Sequence, residues 1–384
     1  MTSATLRGAA ACLAAALACT TAEAQLFRAY LASDGSDANP CTLQAPCRLL
    51  PAALNAVASG GEIWMLDSAN YNDTSTVRIA KSVSIQAVPG SLGSLVARYG
   101  PAILIETPEV SVALRNLAIL PYVFRWEGTI DEVRSGVEMT GAGSALTIEK
   151  CLFANFGLEA VSVRDGTLVV TDSTFRDLAW TAITLRGGAS AAISRVQMLN
   201  TCRGVQASHV SFGVPLPPGR TTASISESFI SGRPGNYCRG VSTWTSHEWV
   251  ARISVTRTTI VDTHYALWTK TTDSVGLGSA EIVVGSSLIA DNAYAWYQEG
   301  TGSIILSLGN NQMSGNGGSV GVLTPLSTGA SRNRRRLTAA PLRRRISFLR
   351  SNLQHSLCLP PVGMVVSRER RVLRLALTRL ASTL

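Results

Sequence analysis

A short strand-turn-strand phrase recurs seven times between residues 136 and 316, and no other feature restricts the fold of this chain as strongly. Its second strand reads LTIEKCLFAN at 146–155 and LVVTDSTFRD at 168–177. It returns with changes at 191–200, 223–232, 253–262 and 282–291, and in degenerate form at 304–313. Neighbouring phrases lie 22, 23, 32, 30, 29 and 22 residues apart. Units this short cannot each bury an apolar face, so they must stack on their neighbours as a solenoid.

Aligned on one another, the repeats form columns. The first strand supplies Val137, Val161, Ile183, Val205, Val241, Leu267 and Trp296, and two residues further Met139, Val163, Leu185, Ala207, Thr243, Thr269 and Gln298. Strand alternation puts both columns on one face, read as the interior. The second strand adds Ile148, Val170, Ile193, Ile225, Val255 and Val284, and the following turn adds Phe153, Phe175, Met198, Ile230, Ile260 and Ile289. A column of charges, Lys150, Asp172, Arg195, Glu227 and Arg257, alternates in sign. In-register stacking ~4.8 Å apart favours that order over like charges. Asn155, Asp177, Asn200, Asp262 and Asp291 form another column, read as residues of a tight bend and not as metal ligands.

Ahead of the repeats, residues 1–24 read as an export signal: Arg7, an apolar run at 9–18, then Ala22-Glu23-Ala24. The apolar run is too short to span a bilayer, so no transmembrane segment is expected after signal cleavage. Residues 25–60 read as an N-terminal segment with a capping helix over 47–57, closed by Gly60-Gly61, that covers the open end of the first coil. Strands are expected at 62–66 and 75–85. Export permits disulfides; Cys41 and Cys47 bracket a proline-containing turn and are expected to pair, while a bridge between Cys202 and Cys238 is left open. Cys151 reads as a small buried residue.

The solenoid is assigned to 61–328, and composition changes abruptly beyond it. The net charge of +9 arises in residues 330–384, which hold 13 arginines against the single acid Glu369. The rest has 21 basic and 24 acidic residues, a balance that carries no nucleic-acid footprint. Residues 329–384 read as a disordered basic extension.

With these features in hand, the chain resembles exported bacterial repeat proteins of the right-handed parallel β-helix, or pectate-lyase-like (pectin lyase-like), superfold. The resemblance covers about 27–328. It rests on Asp37-Ala38-Asn39-Pro40-Cys41, Pro46-Cys47-Arg48, Gly60-Gly61-Glu62-Ile63 and the closing Leu308-Gly309-Asn310-Asn311. It implies an all-β solenoid whose outward face can serve as a groove.

On the first strand that groove presents Glu138, Ser162, Thr184, Gln206, Ser242, Trp268 and Tyr297 in one outward column. The next outward column is Thr140, Arg164, Arg186, Ser208, Trp244, Lys270 and Glu299. Glu138 and Glu299 are six coils apart, on the order of 29 Å. Paired-carboxylate hydrolysis needs about 5–9.5 Å. The polygalacturonase motifs and the clustered aspartates of a pectate-lyase calcium site are absent from the sequence, so no metal or cofactor is expected and binding is favoured over catalysis. The alternatives are a lyase or hydrolase using loop acids such as Asp131, Glu132, Asp165 or Glu248, and a structural or adhesive module. His209, His247, His264 and His355 are scattered, and Gly317-Gly318-Ser319-Val320-Gly321 lacks the strand-to-helix setting of a nucleophile elbow. The candidate ligand-binding residues are Trp244, Trp268, Tyr297, Lys270, Arg164 and Arg186, as stacking faces and cations for a polysaccharide or cell-surface glycan. The protein is expected outside the cytoplasm: periplasmic, on the cell surface or extracellular.

Overall fold

Residues 25–122, 135–209, 219–233, 235–246, 249–272 and 278–326 are described by a computed structural model. They lie in one compact unit, Met1–Gly329; the export signal read at 1–24 and the basic extension from 329 onward fall outside the described residues. The fold is the expected all-β parallel solenoid. Twelve parallel strands form one sheet, beginning Leu26–Leu31, Val57–Met65, Val83–Ala87, Ser111–Arg115, Ala145–Glu149 and Thr167–Thr171, and ending at Leu323–Pro325. A 17-stranded sheet supplies the other two facets of each coil: a short strand such as Leu152–Ala154, then a longer one such as Glu159–Val163. Among the described residues no helix is long and apolar enough to cross a membrane.

The apolar columns stack in register. Phe153 pairs with Phe175, Phe175 with Met198, Met198 with Ile230, Ile230 with Ile260 and Ile260 with Ile289, and all six are buried. Such a column is dry because each side chain is roofed and floored by its counterpart. The second interior column turns polar towards the C-terminus: Thr243 and Thr269 are buried with Oγ1 atoms that lack a hydrogen-bond partner.

In most of the described coils two corners are made by single left-handed residues. Lys150, Asp172, Arg195, Glu227 and Arg257, the sign-alternating column, have φ of 52, 51, 53, 51 and 46°. Their amides donate to the next coil, from Lys150 to the Thr171 carbonyl and onward to Arg257 and Gly285, which holds a conformation that L-residues otherwise avoid. Arg195 pairs with Asp172 at 2.7 Å and Arg257 with Glu227 at 2.8 Å, whereas Lys150 turns to its neighbour Glu149. The Asn155, Asp177, Asn200, Asp262 and Asp291 column occupies the second corner, with φ of 66, 57, 52, 56 and 56°. Short polar side chains tolerate this region best.

At the N-terminal end the structure departs from the expectation in three respects. The helix is shorter, Leu50–Ala56, because Val57 already pairs with Leu26 in the sheet. Gly60-Gly61 therefore lies inside a strand, where a Cβ on Gly61 would stand 2.4 Å from the Phe27 carbonyl oxygen. The single strand expected at 75–85 is two, Val77–Arg78 and Val83–Ala87, which belong to different sheets. Two further coils precede the first repeat read from sequence. Their Ser111–Arg115 strand and left-handed Asn116 carry the same phrase as 146–155, with Val112, Leu114 and Ile119 in register with Leu146, Ile148 and Phe153. Leu50, Ala53 and Leu54 of the helix join the core at this end.

Candidate functional site

The long strands Ser135–Met139, Glu159–Val163, Thr174–Leu185, Gln197–His209, Arg239–Thr245, Tyr265–Thr271 and Tyr294–Glu299 build one facet. Its outward side has three columns. Two are those read from sequence, with Gln206, Ser242, Trp268 and Tyr297 in register, and Ser208, Trp244, Lys270 and Glu299 beside them. The third is Glu159, Thr181, Arg203, Arg239, Tyr265 and Tyr294, of which the sequence aligns Tyr265 with Tyr294 but not the four before them.

The six sequence-predicted residues share this facet but differ in availability. Arg186 donates from Nη1 to Ser162 Oγ at 2.9 Å and forms an ion pair with Glu159. Lys270 Nζ lies 2.6 Å from Glu299 Oε1. Each of these two cations already has a carboxylate partner. Arg164 is exposed at the corner leading to Gly166, and Trp244 is half-buried. Trp268 is only 3% exposed, its ring covered by the Arg239 guanidinium at 3.5 Å. It supports other groups and is not itself a bare stacking face. Tyr297 is half-buried within a cluster of rings.

That cluster is the largest aromatic feature of the facet. Tyr265 lies 5.3 Å from Tyr294 and 4.8 Å from Tyr297, and Tyr294 meets Tyr297 edge-on at 5.9 Å. His264 packs edge-on against Tyr265 at 4.4 Å and reaches Tyr237 at 6.2 Å. Burial holds the His264 imidazole below its ordinary pKa, so it is neutral at pH 7, and burial with the neighbouring phenols raises that of Tyr265. Tyr237, in the left-handed region at φ 71°, is 66% exposed.

Beside the rings stand Arg203 and Arg239, adjacent in register. The Arg203 guanidinium lies 3.8 Å over the ring of Trp180. Trp180 is turned outward by a bulge in which Ala179 and Trp180 oppose the single residue Cys202, since Leu178 pairs with Thr201 and Thr181 with Arg203. The signal for the arginine pair was the tetrapeptide Cys-Arg-Gly-Val, which occurs at both 202–205 and 238–241. Cys202 and Cys238 form a disulfide, as do Cys41 and Cys47. Burial pushes both guanidinium groups down to about 10, and the charge of Arg203 adds to the effect on Arg239.

Of the carboxylates on the facet, Glu159 and Glu299 are held in ion pairs, while Glu138 forms none among the described residues. Among the described residues no group of three or more His, Cys, Asp or Glu could hold a metal ion. Asp131, Glu132, His247, Glu248 and His355 lie outside the described residues. What the facet offers chemically is ring faces, hydroxyl groups and, among the described residues, three cations without a carboxylate partner: the exposed Arg164 and the partly buried Arg203 and Arg239.

No protein-family model and no curated protein matches the sequence. Among solved structures, the chain is similar to pectate lyase Pel9A, at 12% identity and a TM-score of 0.54 over 80% of each chain. It has the pectate-lyase-like parallel β-helix fold. Fainter likenesses are to XylC in complex with xylose (11% identity, TM-score 0.48, 78% of this chain and 70% of that one) and to GH136 lacto-N-biosidase from Eubacterium ramulus (9%, 0.46, 78% and 67%). At these identities the likeness is one of architecture, which hosts many chemistries.

Proposed function

We propose that this protein binds an extended glycan along the facet built by the long strands, acting as a recognition module. The observation that carries this reading is the cluster of Tyr237, Tyr294 and Tyr297 around the more deeply placed Tyr265 and His264. Tyrosine combines a flat apolar face with a hydroxyl, which suits a sugar ring whose C–H face stacks while its hydroxyls bond. Coils repeat at ~4.8 Å, close to the rise of one sugar unit, so a polymer lying along the stack meets equivalent positions in turn. A role in glycan chemistry is supported by the shared fold with a pectate lyase. Export to an oxidising compartment is part of this proposal, supported by the two disulfides.

A glycan array probed with the full chain, alongside Tyr297→Ala and Tyr237→Ala, tests the reading. Each substitution is expected to weaken binding about 5- to 10-fold, the worth of one stacking contact. Release of shortened or unsaturated products would replace recognition with catalysis. Binding indifferent to both substitutions would move the ligand off this facet.

A further inference from the structure

Arg203 and Arg239 occupy the same outward column in adjacent coils, so their backbones are one strand spacing apart, ~4.8 Å. Like charges so placed repel, and partial burial removes the water that would screen them. Neither forms an ion pair among the described residues. The nearest carboxylates that act on them, Glu159 on Arg203 and Glu299 on Arg239, are engaged with Arg186 and Lys270. The Nε atoms of both are buried without a hydrogen-bond partner, while Arg203 donates from Nη1 only to Gln206 Oε1, at 3.3 Å.

The surroundings hold this unfavourable pair in place. Each guanidinium stands close over an indole, Arg203 at 3.8 Å from the Trp180 ring centroid and Arg239 at 3.5 Å from that of Trp268, a cation–π contact that restrains it. The residue before each arginine is a cysteine of one disulfide, so a covalent link between the two coils sits beside the charges it keeps together. Gly204 and Gly240 follow, and a Cβ at either would come within 3 Å of a neighbouring coil's atoms. Two cations rigidly positioned, stacked and lacking counter-charge form a preorganised oxyanion receptor.

We infer that Arg203 and Arg239 together bind an oxyanion substituent, carboxylate or sulfate, carried by a sugar of the glycan. The inference rests on the glycan reading above and specifies its ligand class. The acidic group bridges the two guanidinium edges, and the next sugar units extend along the coil axis over the tyrosine cluster.

The test uses the full chain at 0.15 M salt with polygalacturonate, the same polymer after its carboxyl groups are reduced to alcohols, and κ-carrageenan as the sulfated arm. Acidic polymer is expected to bind at least 10-fold more tightly than its reduced form. Arg203→Gln and Arg239→Gln should each weaken binding about 10- to 100-fold, the worth of charge-assisted hydrogen bonds. Arg203→Lys should also weaken it, since the charge survives but the planar fork does not. Arg220→Gln, on the other sheet, should leave binding unchanged. The unfolding midpoint of the Gln variants should not fall, because each relieves a buried like-charge contact. Polygalacturonate alone identifies a carboxylate, carrageenan alone a sulfate, and both support the site. Equal binding of acidic and reduced polymer, unaffected by Arg→Gln, overturns the oxyanion site and leaves the glycan reading standing. Silence from every polymer and from the array overturns both.

Discussion

Phe153 and Phe175 stack with ring centroids 4.8 Å apart and planes within 5° of parallel. That separation is the strand spacing itself, so the backbone hydrogen bonds and the ring contact are satisfied by one geometry. Both rings are fully buried, and Met198 continues the column. Phe175→Ala should cost about 3–5 kcal/mol in urea unfolding, since the neighbouring coils cannot collapse into the gap without breaking register. A loss below about 1 kcal/mol would show that the column does not bear on stability.

The second corner gives a backbone test. Asp262 has φ 56°, where a β-branched side chain clashes with its own backbone. Asp262→Val is expected to destabilise by about 1–2 kcal/mol, while Asp262→Gly stays within a few tenths. Equal effects of Val and Gly would deny the corner its left-handed requirement.

The Cys202–Cys238 bridge closes a 36-residue segment. Its removal in Cys202→Ala/Cys238→Ala should lower stability by about 2–4 kcal/mol through the entropy regained by the unfolded chain. The same variant should bind acidic polymer more weakly, because the two coils that carry Arg203 and Arg239 lose their covalent tie. Unchanged binding in a folded double variant would mean that strand pairing alone positions the arginines.

Acid should loosen the N-terminal coils first. Glu62 is held below the usual carboxylate range by the hydrogen bond from Arg28, with a further one from Trp64. Burial pushes Asp67 up, but hydrogen bonds from Ser33 and Tyr71 outweigh it and hold the group low. The unfolded chain takes up these protons near pH ~4, before the folded one does. Their stabilisation is therefore complete above that pH and is lost as pH falls through the depressed folded values. Hydrogen exchange, corrected for intrinsic rate, should show earlier loss of protection at Ile63 and Met65 than at Ile183 and Val205 between pH 5 and 3. Asp67→Asn should flatten that dependence.

Sequence reading reached the columns because a solenoid is quasi-one-dimensional: each repeat meets only its neighbours, so spacing along the chain maps directly onto stacking. Val161 and Ile183, or Asp172 and Arg195, could be paired without coordinates. Reading failed where that map is interrupted. The coils around Val83–Ala87 and Ser111–Arg115 combine those strands with strands of only two or three residues, Ala69–Asn70, Val77–Arg78 and Ile103–Ile105, which weakens the periodic signal. The column holding Arg203 and Arg239 follows the second corner at a variable distance, three residues after Asn200 but seven after Gly232, and stands two residues before the interior Val205 and Val241, so strand alternation assigns it to the interior face.

The order of residues alone determined that coils stack, which side chains fill their interior and where each coil turns, because all three follow from local periodicity. Which cations are already matched was decided only in three dimensions. Arg186 and Lys270 find carboxylates, whereas Arg203 and Arg239 find indole rings and each other. Charge pairing depends on distances of a few ångströms between residues some thirty positions apart, and spacing along the chain does not encode them.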